Sequence, residues 1–260
     1  MTDTIRFTDG AAYERYMGVW SRFAGEAFLD WLAPPPGQRW LDVGCGNGAF
    51  TELIIKRCAP TLVEGIDPSE EQLAFARSRF EPSAANFRIG DAQALPFEAG
   101  TFDSAVMPLV IFFVPDPQKG VAEMARVVRP GGEVTAYAWD MPGGGFPYAV
   151  VQAEMRAMSL SPPMTPNPDV SSLDALRTLW SGAGLKEVAT REITVQRTFS
   201  GFEDYWETIR GGPSLGARLK TMMTEEKEIL KERLRSLLPI DATGRIALSA
   251  RANAVKGRVP

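Results

Sequence analysis

Between residues 39 and 139, short apolar runs alternate with segments whose apolar positions recur every three or four residues. The first pattern predicts strands and the second predicts helices buried on one face. Arg39–Val43 reads as a strand, after which Phe50, Leu53, Ile54 and Cys58 share a helical face behind a glycine-rich turn. Residues 62–66 form the next apolar run. Ser69-Glu70-Glu71-Gln72 then has the form of a capping box, opening a helix with Leu73, Ala76 and Phe80 on one side. Asn86–Ile89, 104–107 and 133–139 predict three further strands. The last follows a helix through Val121, Met124, Ala125 and Val128 that Pro130-Gly131-Gly132 should end.

Outside this region the pattern changes. Residues 12–32 read as one helix carrying Tyr13, Tyr16, Trp20, Phe28 and Trp31, stopped by Pro34-Pro35-Pro36-Gly37. Gly143-Gly144-Gly145 suggests a hinge, and 161–169 holds four prolines. A helix is expected over 172–183, a strand over 188–199, a helical stretch over 202–238, and a closing antiparallel strand over 245–259. Parallel strands need crossover connections, so the alternation predicts an α/β fold: a Rossmann-like, doubly wound, mostly parallel seven-stranded sheet. The expected organisation is one domain with an N-terminal helical lid over 1–37 and a binding core over 38–140. Insertions near 141–170 and 200–242 would form a helical cap, with 171–199 and 243–260 completing the core.

Composition narrows the chemistry. The chain has 260 residues, 45% of them hydrophobic, with 28 basic against 32 acidic side chains mixed along its length. No concentrated basic stretch offers itself to a phosphate backbone, so nucleic acid is not the expected partner. No apolar run is long enough to span a bilayer, and no signal peptide is read at the N-terminus, so a cytoplasmic location is expected. Two cysteines give neither a disulfide framework nor a zinc site, and no metal is expected. The chain has no histidine, which excludes an imidazole base, a histidine metal ligand and a Ser-His-Asp triad.

The strongest local signal is Leu41-Asp42-Val43-Gly44-Cys45-Gly46-Asn47-Gly48-Ala49. Glycines after the first strand let the backbone turn sharply and approach a ligand, while the next helix presents unpaired N–H groups. Gly44, Gly46 and Ala49 also satisfy the dinucleotide pattern G-x-G-x-x-A, with Asp67 about twenty residues on, so a nicotinamide-dependent oxidoreductase is a rival reading. Asp42 separates the two: its carboxylate would repel a pyrophosphate and attract an ammonium-bearing amino acid moiety.

WLDVGCGNG resembles motif I of the class I S-adenosylmethionine-dependent methyltransferases, and the likeness continues in order down the chain. Gly65-Ile66-Asp67-Pro68-Ser69 is similar to the second-strand end whose acidic residue holds the ribose hydroxyls in that family. Gly90-Asp91-Ala92-Gln93-Ala94-Leu95-Pro96-Phe97 is similar to the segment whose Asp bonds the adenine amino group and whose next N–H serves a ring nitrogen. Phe102-Asp103 and Arg129-Pro130-Gly131-Gly132 resemble the signatures at the fourth and fifth strands. The subgroup most resembled is the ubiquinone/menaquinone methyltransferase-like set of small-molecule enzymes. Val110-Ile111-Phe112-Phe113 departs from it, since this stretch often carries histidine there.

The resemblance implies that S-adenosylmethionine binds and leaves as S-adenosylhomocysteine after in-line transfer of its methyl to an oxygen, carbon or nitrogen of a small, partly apolar metabolite. The implied cofactor-binding residues are Asp42, Gly44, Cys45, Gly46, Asp67, Pro68, Asp91, Ala92 and Met107. From the N-terminal helix, Tyr16 and Trp20 are expected to line the pocket and Arg22 to pair with the methionine carboxylate. Trp139 and Phe112 are candidate aromatic faces for the sulfonium, and Asp140, at the end of the fifth strand, is the candidate general base. Each acidic residue has a plainer alternative: Asp67 and Asp91 as turn-formers, Asp103 as a solvent-side strand residue, Asp140 as a loop cap. A non-catalytic protein that binds S-adenosylmethionine is the third reading.

Overall fold

The computed structural model describes residues 14–81 and 83–260; the start of the expected N-terminal helix, including Tyr13, lies outside them. β1 (Arg39–Val43), β2 (Leu62–Asp67), β3 (Asn86–Ile89), β4 (Phe102–Pro108) and β5 (Val128–Trp139) pair in parallel. β6 (Lys186–Phe199) and β7 (Ile246–Arg258) run antiparallel to their neighbours, giving the order β3-β2-β1-β4-β5-β7-β6. The chain therefore steps outward from β1 in one direction as far as β3 and returns to the other side with β4. Right-handed crossovers put the connecting helices of the two halves on opposite faces, and the reversal leaves a crevice beyond the carboxyl ends of β1 and β4.

α1 (Val19–Leu32) packs on α2 (Ala49–Cys58) and crosses β6 and β7. Its Phe28 meets Tyr137 of β5 at 4.8 Å between ring centres, and Phe50 of α2 meets the same ring at 5.6 Å. Ala33 ends the helix in a left-handed conformation ahead of the three prolines. α3 (Glu70–Arg79) covers β2 and β3, its start capped by Ser69, whose Oγ accepts the Gln72 N–H at 3.3 Å. On the other side, α4 (Pro117–Val127) and α6 (Leu173–Gly182) pack together. α6 starts where Ser172 Oγ accepts the Ala175 N–H.

Two boundaries differ from expectation. α4 ends at Val127, three residues before Pro130, because β5 already pairs at Val128, opposite Phe102. Pro130-Gly131-Gly132 is instead an irregularity inside the strand, with Gly131 at φ +77°. The helical stretch over 202–238 is three helices, α7 (Phe202–Arg210), α8 (Leu215–Thr221) and α9 (Thr224–Leu237). Gly211-Gly212-Pro213 breaks the first junction, since proline cannot donate to the preceding turn. α5 (Ala149–Ala157) and the proline-rich loop after it complete the structure above the carboxyl ends of the strands.

Candidate functional site

The glycine turn after β1 is held against β2, with the N–H groups of Gly44 and Cys45 both donating to the Ile66 carbonyl at 2.8 and 2.9 Å. Gly44, Gly46 and Gly48 all have positive φ. Gly44 is constrained twice: a Cβ there would also lie 2.6 Å from the Val110 side chain. Cys45 is turned inward, its sulfur against Gly65, and burial together with the charges of Asp42 and Asp67 pushes its thiol far up. It is not a nucleophile.

Asp42, at the end of β1, is fully buried. One carboxylate oxygen accepts the Thr51 hydroxyl at 2.7 Å; the other is sealed from solvent and has no hydrogen-bond partner among the described residues. Burial raises the carboxyl to about 7, against the opposing pull of the Thr51 hydrogen bond. Thr51 escaped the sequence reading because its role depends on the first turn of α2 lying directly over β1.

Asp67 stands at the tip of β2, and its two oxygens bridge the turns on either side. Oδ2 accepts the Gly46 N–H at 3.0 Å and Oδ1 accepts the Ser69 N–H at 2.9 Å. Burial raises this carboxyl, while the two N–H groups hold it down. Pro68 beside it is exposed. Asp91 is also exposed and makes an Asx-turn, accepting the Gln93 N–H at 2.9 Å, with Ala92 partly buried next to it. Glu123 and Arg126 of α4 bolt this segment down, through the Leu95 N–H and the carbonyls of Leu95 and Phe97. Asp42, Asp67 and Asp91 thus surround a bare backbone cradle at the switch point of the sheet.

A small apolar pocket of about 80 Å³ adjoins the cradle. Leu109 and Phe112 line it while Val110 between them presses on Gly44, so cradle and pocket share a wall. Leu109 holds φ +60°, a strained conformation for a leucine and one that clusters at functional sites. Trp139 at the end of β5 and Met141 in the loop after it close one side of the pocket, Phe146 and Gln152 another, and Tyr16 and Ser214 a third.

One sequence expectation needs correction. Asp140 is not free to act as a base: its Oδ2 receives Arg251 at 2.5 and 3.0 Å, its Oδ1 accepts the Gly143 N–H at 3.1 Å, and it does not line the pocket. It caps the loop after β5 and ties it to β7. Arg22 is exposed, with its guanidinium 5.7 Å from the Phe23 ring centre. Trp20 and Met107 are wholly buried, and Tyr16, four residues before Trp20, lines the apolar pocket. Glu14–Gly18, which carries Tyr16, is a π-helical turn. Asp103 has the plainer role, receiving the Arg39 N–H and Arg129.

Among the described residues, no cluster of three histidine, cysteine, aspartate or glutamate side chains is placed to hold a metal ion, and no helix is long and apolar enough to cross a membrane. Residues 41–136 match the family model described as a methyltransferase domain. The ubiquinone/menaquinone biosynthesis C-methyltransferase UbiE of Roseobacter denitrificans is 39% identical over 113 residues, 42% of this chain and 45% of that protein. The chloroplastic 2-methyl-6-phytyl-1,4-hydroquinone methyltransferase 2 of Oryza sativa is 43% identical over 94 residues, 36% of this chain and 27% of that one. The chain spans about half the length of the UbiE relatives it matches. In fold it resembles phosphoethanolamine N-methyltransferase 2 of Haemonchus contortus, solved with S-adenosyl-L-methionine. The TM-score is 0.61 at 18% identity, covering 96% of this chain and 56% of that one. The glycine cradle and its three carboxylates therefore lie within the stretch that matches the methyltransferase-domain model.

Proposed function

We propose that the chain transfers a methyl group from S-adenosylmethionine to a small, partly apolar molecule bound in the pocket beside the cradle. The observation that carries this reading is the glycine turn after β1 with the buried carboxylate of Asp42 beneath it and Asp67 bonded to the Gly46 N–H beside it. A buried carboxylate costs free energy, and an ammonium group bound over the turn would supply compensating charge. The same carboxylate opposes a pyrophosphate, which weighs against a nicotinamide cofactor. In this reading Asp67 takes the ribose hydroxyls, and Asp91 with the Ala92 N–H takes the base.

When bound, S-adenosylmethionine supplies an activated methyl on a positively charged sulfur. The chain's own residues contribute alignment and exclusion of water. Phe112, Trp139 and Phe146 offer aromatic walls, and Tyr16 closes the pocket from the N-terminal side. Tyr16 is the one ionisable side chain among the described lining residues, so the acceptor has to arrive as a competent nucleophile. Relatives named for hydroquinone and quinone-precursor methylation support an apolar acceptor.

Calorimetric titration of the purified protein with S-adenosylmethionine, S-adenosylhomocysteine and NADH tests the reading. Binding of the first two, with NADH giving no heat, is expected. The reverse result would mark an oxidoreductase, and binding without turnover on any acceptor would mark a sensor.

A further inference from the structure

A second cavity, of about 590 Å³, opens between α7, α8 and α9, and its charge runs against that of the chain. The protein carries 32 acidic and 28 basic side chains, yet five cations line this cavity, Arg15, Arg210, Lys220, Lys227 and Lys231, against two carboxylates, Glu207 and Glu228. Two of the cations are already paired. Arg210 donates to Glu207 at 2.6 Å, and Lys231 meets Glu203 at 3.3 Å. The side chains of Arg15, Lys220 and Lys227 have no ion-pair or hydrogen-bond partner among the described residues, and Glu228 is the one carboxylate of the lining left unpaired there.

The three unpaired cations come from separate segments. Arg15 belongs to the π-helical turn, Lys220 to α8 and Lys227 to the first turn of α9. Only the packing of these segments gathers them in one concavity, so no basic run marks them in the sequence. Gly216 permits that packing: a Cβ there would collide with the Arg210 carbonyl, so α8 can close on the end of α7 only with glycine at this place. Trp206 and Leu219, each with a small part exposed, add apolar surface to the lining. Like charges brought together in a concavity repel one another, a cost that a bound dianion removes.

We infer that this cavity is a second ligand site, taking a small molecule that ends in a phosphate group. Such a group carries roughly two negative charges at neutral pH and strong acceptor oxygens, which suits three unpaired cations set against one carboxylate. A carboxylate brings less charge, and the internal diphosphate of a dinucleotide has no dianionic end. The volume is that of a metabolite site rather than of a bare ion. The cavity shares no lining residue with the apolar pocket, so its ligand is distinct from the methyl acceptor. The two meet at the π-helical turn, where Arg15 lines one and Tyr16 the other. The assignment stands apart from the methyl-transfer reading.

Phenyl phosphate and inorganic phosphate are the probes, titrated calorimetrically into the whole protein at pH 8 and constant ionic strength, with and without saturating S-adenosylhomocysteine. Wild type is expected to bind one equivalent of phenyl phosphate in both conditions, and more tightly than inorganic phosphate. Arg15→Gln, Lys220→Gln and Lys227→Gln should each weaken phenyl phosphate about fivefold, the effect of one charged contact at a partly exposed site. Lys186→Gln, which removes a charge at the start of β6, should change it by less than about twofold, since only screened long-range attraction is lost. The three cavity variants should melt with wild type, because none of these side chains has a partner in the fold to lose.

No phenyl phosphate binding to wild type would overturn the assignment. So would equal losses in Lys186→Gln and Lys227→Gln, the mark of general charge attraction, or displacement by S-adenosylhomocysteine, which would put the phosphate in the glycine cradle. A lowered Tm in all three cavity variants would make these cations structural and overturn it as well.

Discussion

Tyr148 and Tyr16, 132 residues apart in sequence, are joined twice: their rings stack at 4.5 Å between centres, and the Tyr148 hydroxyl donates to the Tyr16 carbonyl at 2.6 Å. Arg197 of β6 reinforces the join, donating to the Arg15 carbonyl at 2.8 Å. The π-helical turn that brings Tyr16 over the pocket is thus fastened to α5 and β6 rather than resting on the sheet alone. Tyr148→Phe keeps the stacking and removes one buried hydrogen bond. It should cost about 1 kcal/mol of stability, read by denaturant unfolding. It should also weaken S-adenosylhomocysteine binding by loosening the turn. Unchanged affinity would show that the turn plays no part in closing the site.

Asp42 gives a pH-dependent prediction. Its carboxyl sits near 7 in the ligand-free fold against an ordinary 3.8, so between these values the folded state binds the proton that the unfolded state has lost. Stability from this group is complete below about pH 4, falls as pH rises toward 7, and stays at its lower level above that. Asp42→Asn removes the slope, so the variant should gain stability over wild type at pH 8 and little at pH 4. Its affinity for S-adenosylmethionine should fall at least tenfold, because the compensating charge is gone. Urea titrations at the two pH values and calorimetry at pH 8 read both effects.

Gly44 and Gly46 should respond differently to alanine. At Gly44 the methyl meets Val110 at 2.6 Å in a backbone conformation costly for alanine, so Gly44→Ala should lose both stability and binding. At Gly46 the nearest atom, Gln72 Oε1, is 3.9 Å away, so the cost is confined to the φ of +52°, about 1 kcal/mol. Gly46→Ala should therefore fold yet bind S-adenosylhomocysteine poorly, the methyl standing in the cradle. Equal affinities for Gly46→Ala and wild type would remove the cradle from the ligand's path.

Asp140→Asn tests the correction made to the candidate base. Loss of the charge that holds Arg251 should lower Tm by several degrees, while S-adenosylhomocysteine affinity stays within about twofold of wild type. A variant as stable as wild type, yet inactive on an acceptor the wild type methylates, would restore the catalytic role.

What was legible in the sequence was local. β1 and β3 have the predicted limits, each a short run closed by a glycine, Gly44 and Gly90. The glycine turn could be read because a backbone without Cβ atoms is a property of consecutive residues. The β5 irregularity could not be, since a strand starting at Val128 depends on Phe102 lying beside it, and Pro130-Gly131-Gly132 alone looks like a helix stop.

By itself, the amino-acid order determined the alternating α/β architecture, the cradle after β1 and the exclusion of imidazole chemistry, all of which follow from neighbouring residues or from composition. Only the tertiary structure decided that Asp140 belongs to Arg251, that Tyr148 fastens Tyr16, and that Thr51 takes one oxygen of Asp42 and leaves the other bare. Whether a polar group is paired depends on which distant segment reaches it. That is set by sheet order and helix packing across the whole chain, and no window of sequence contains it.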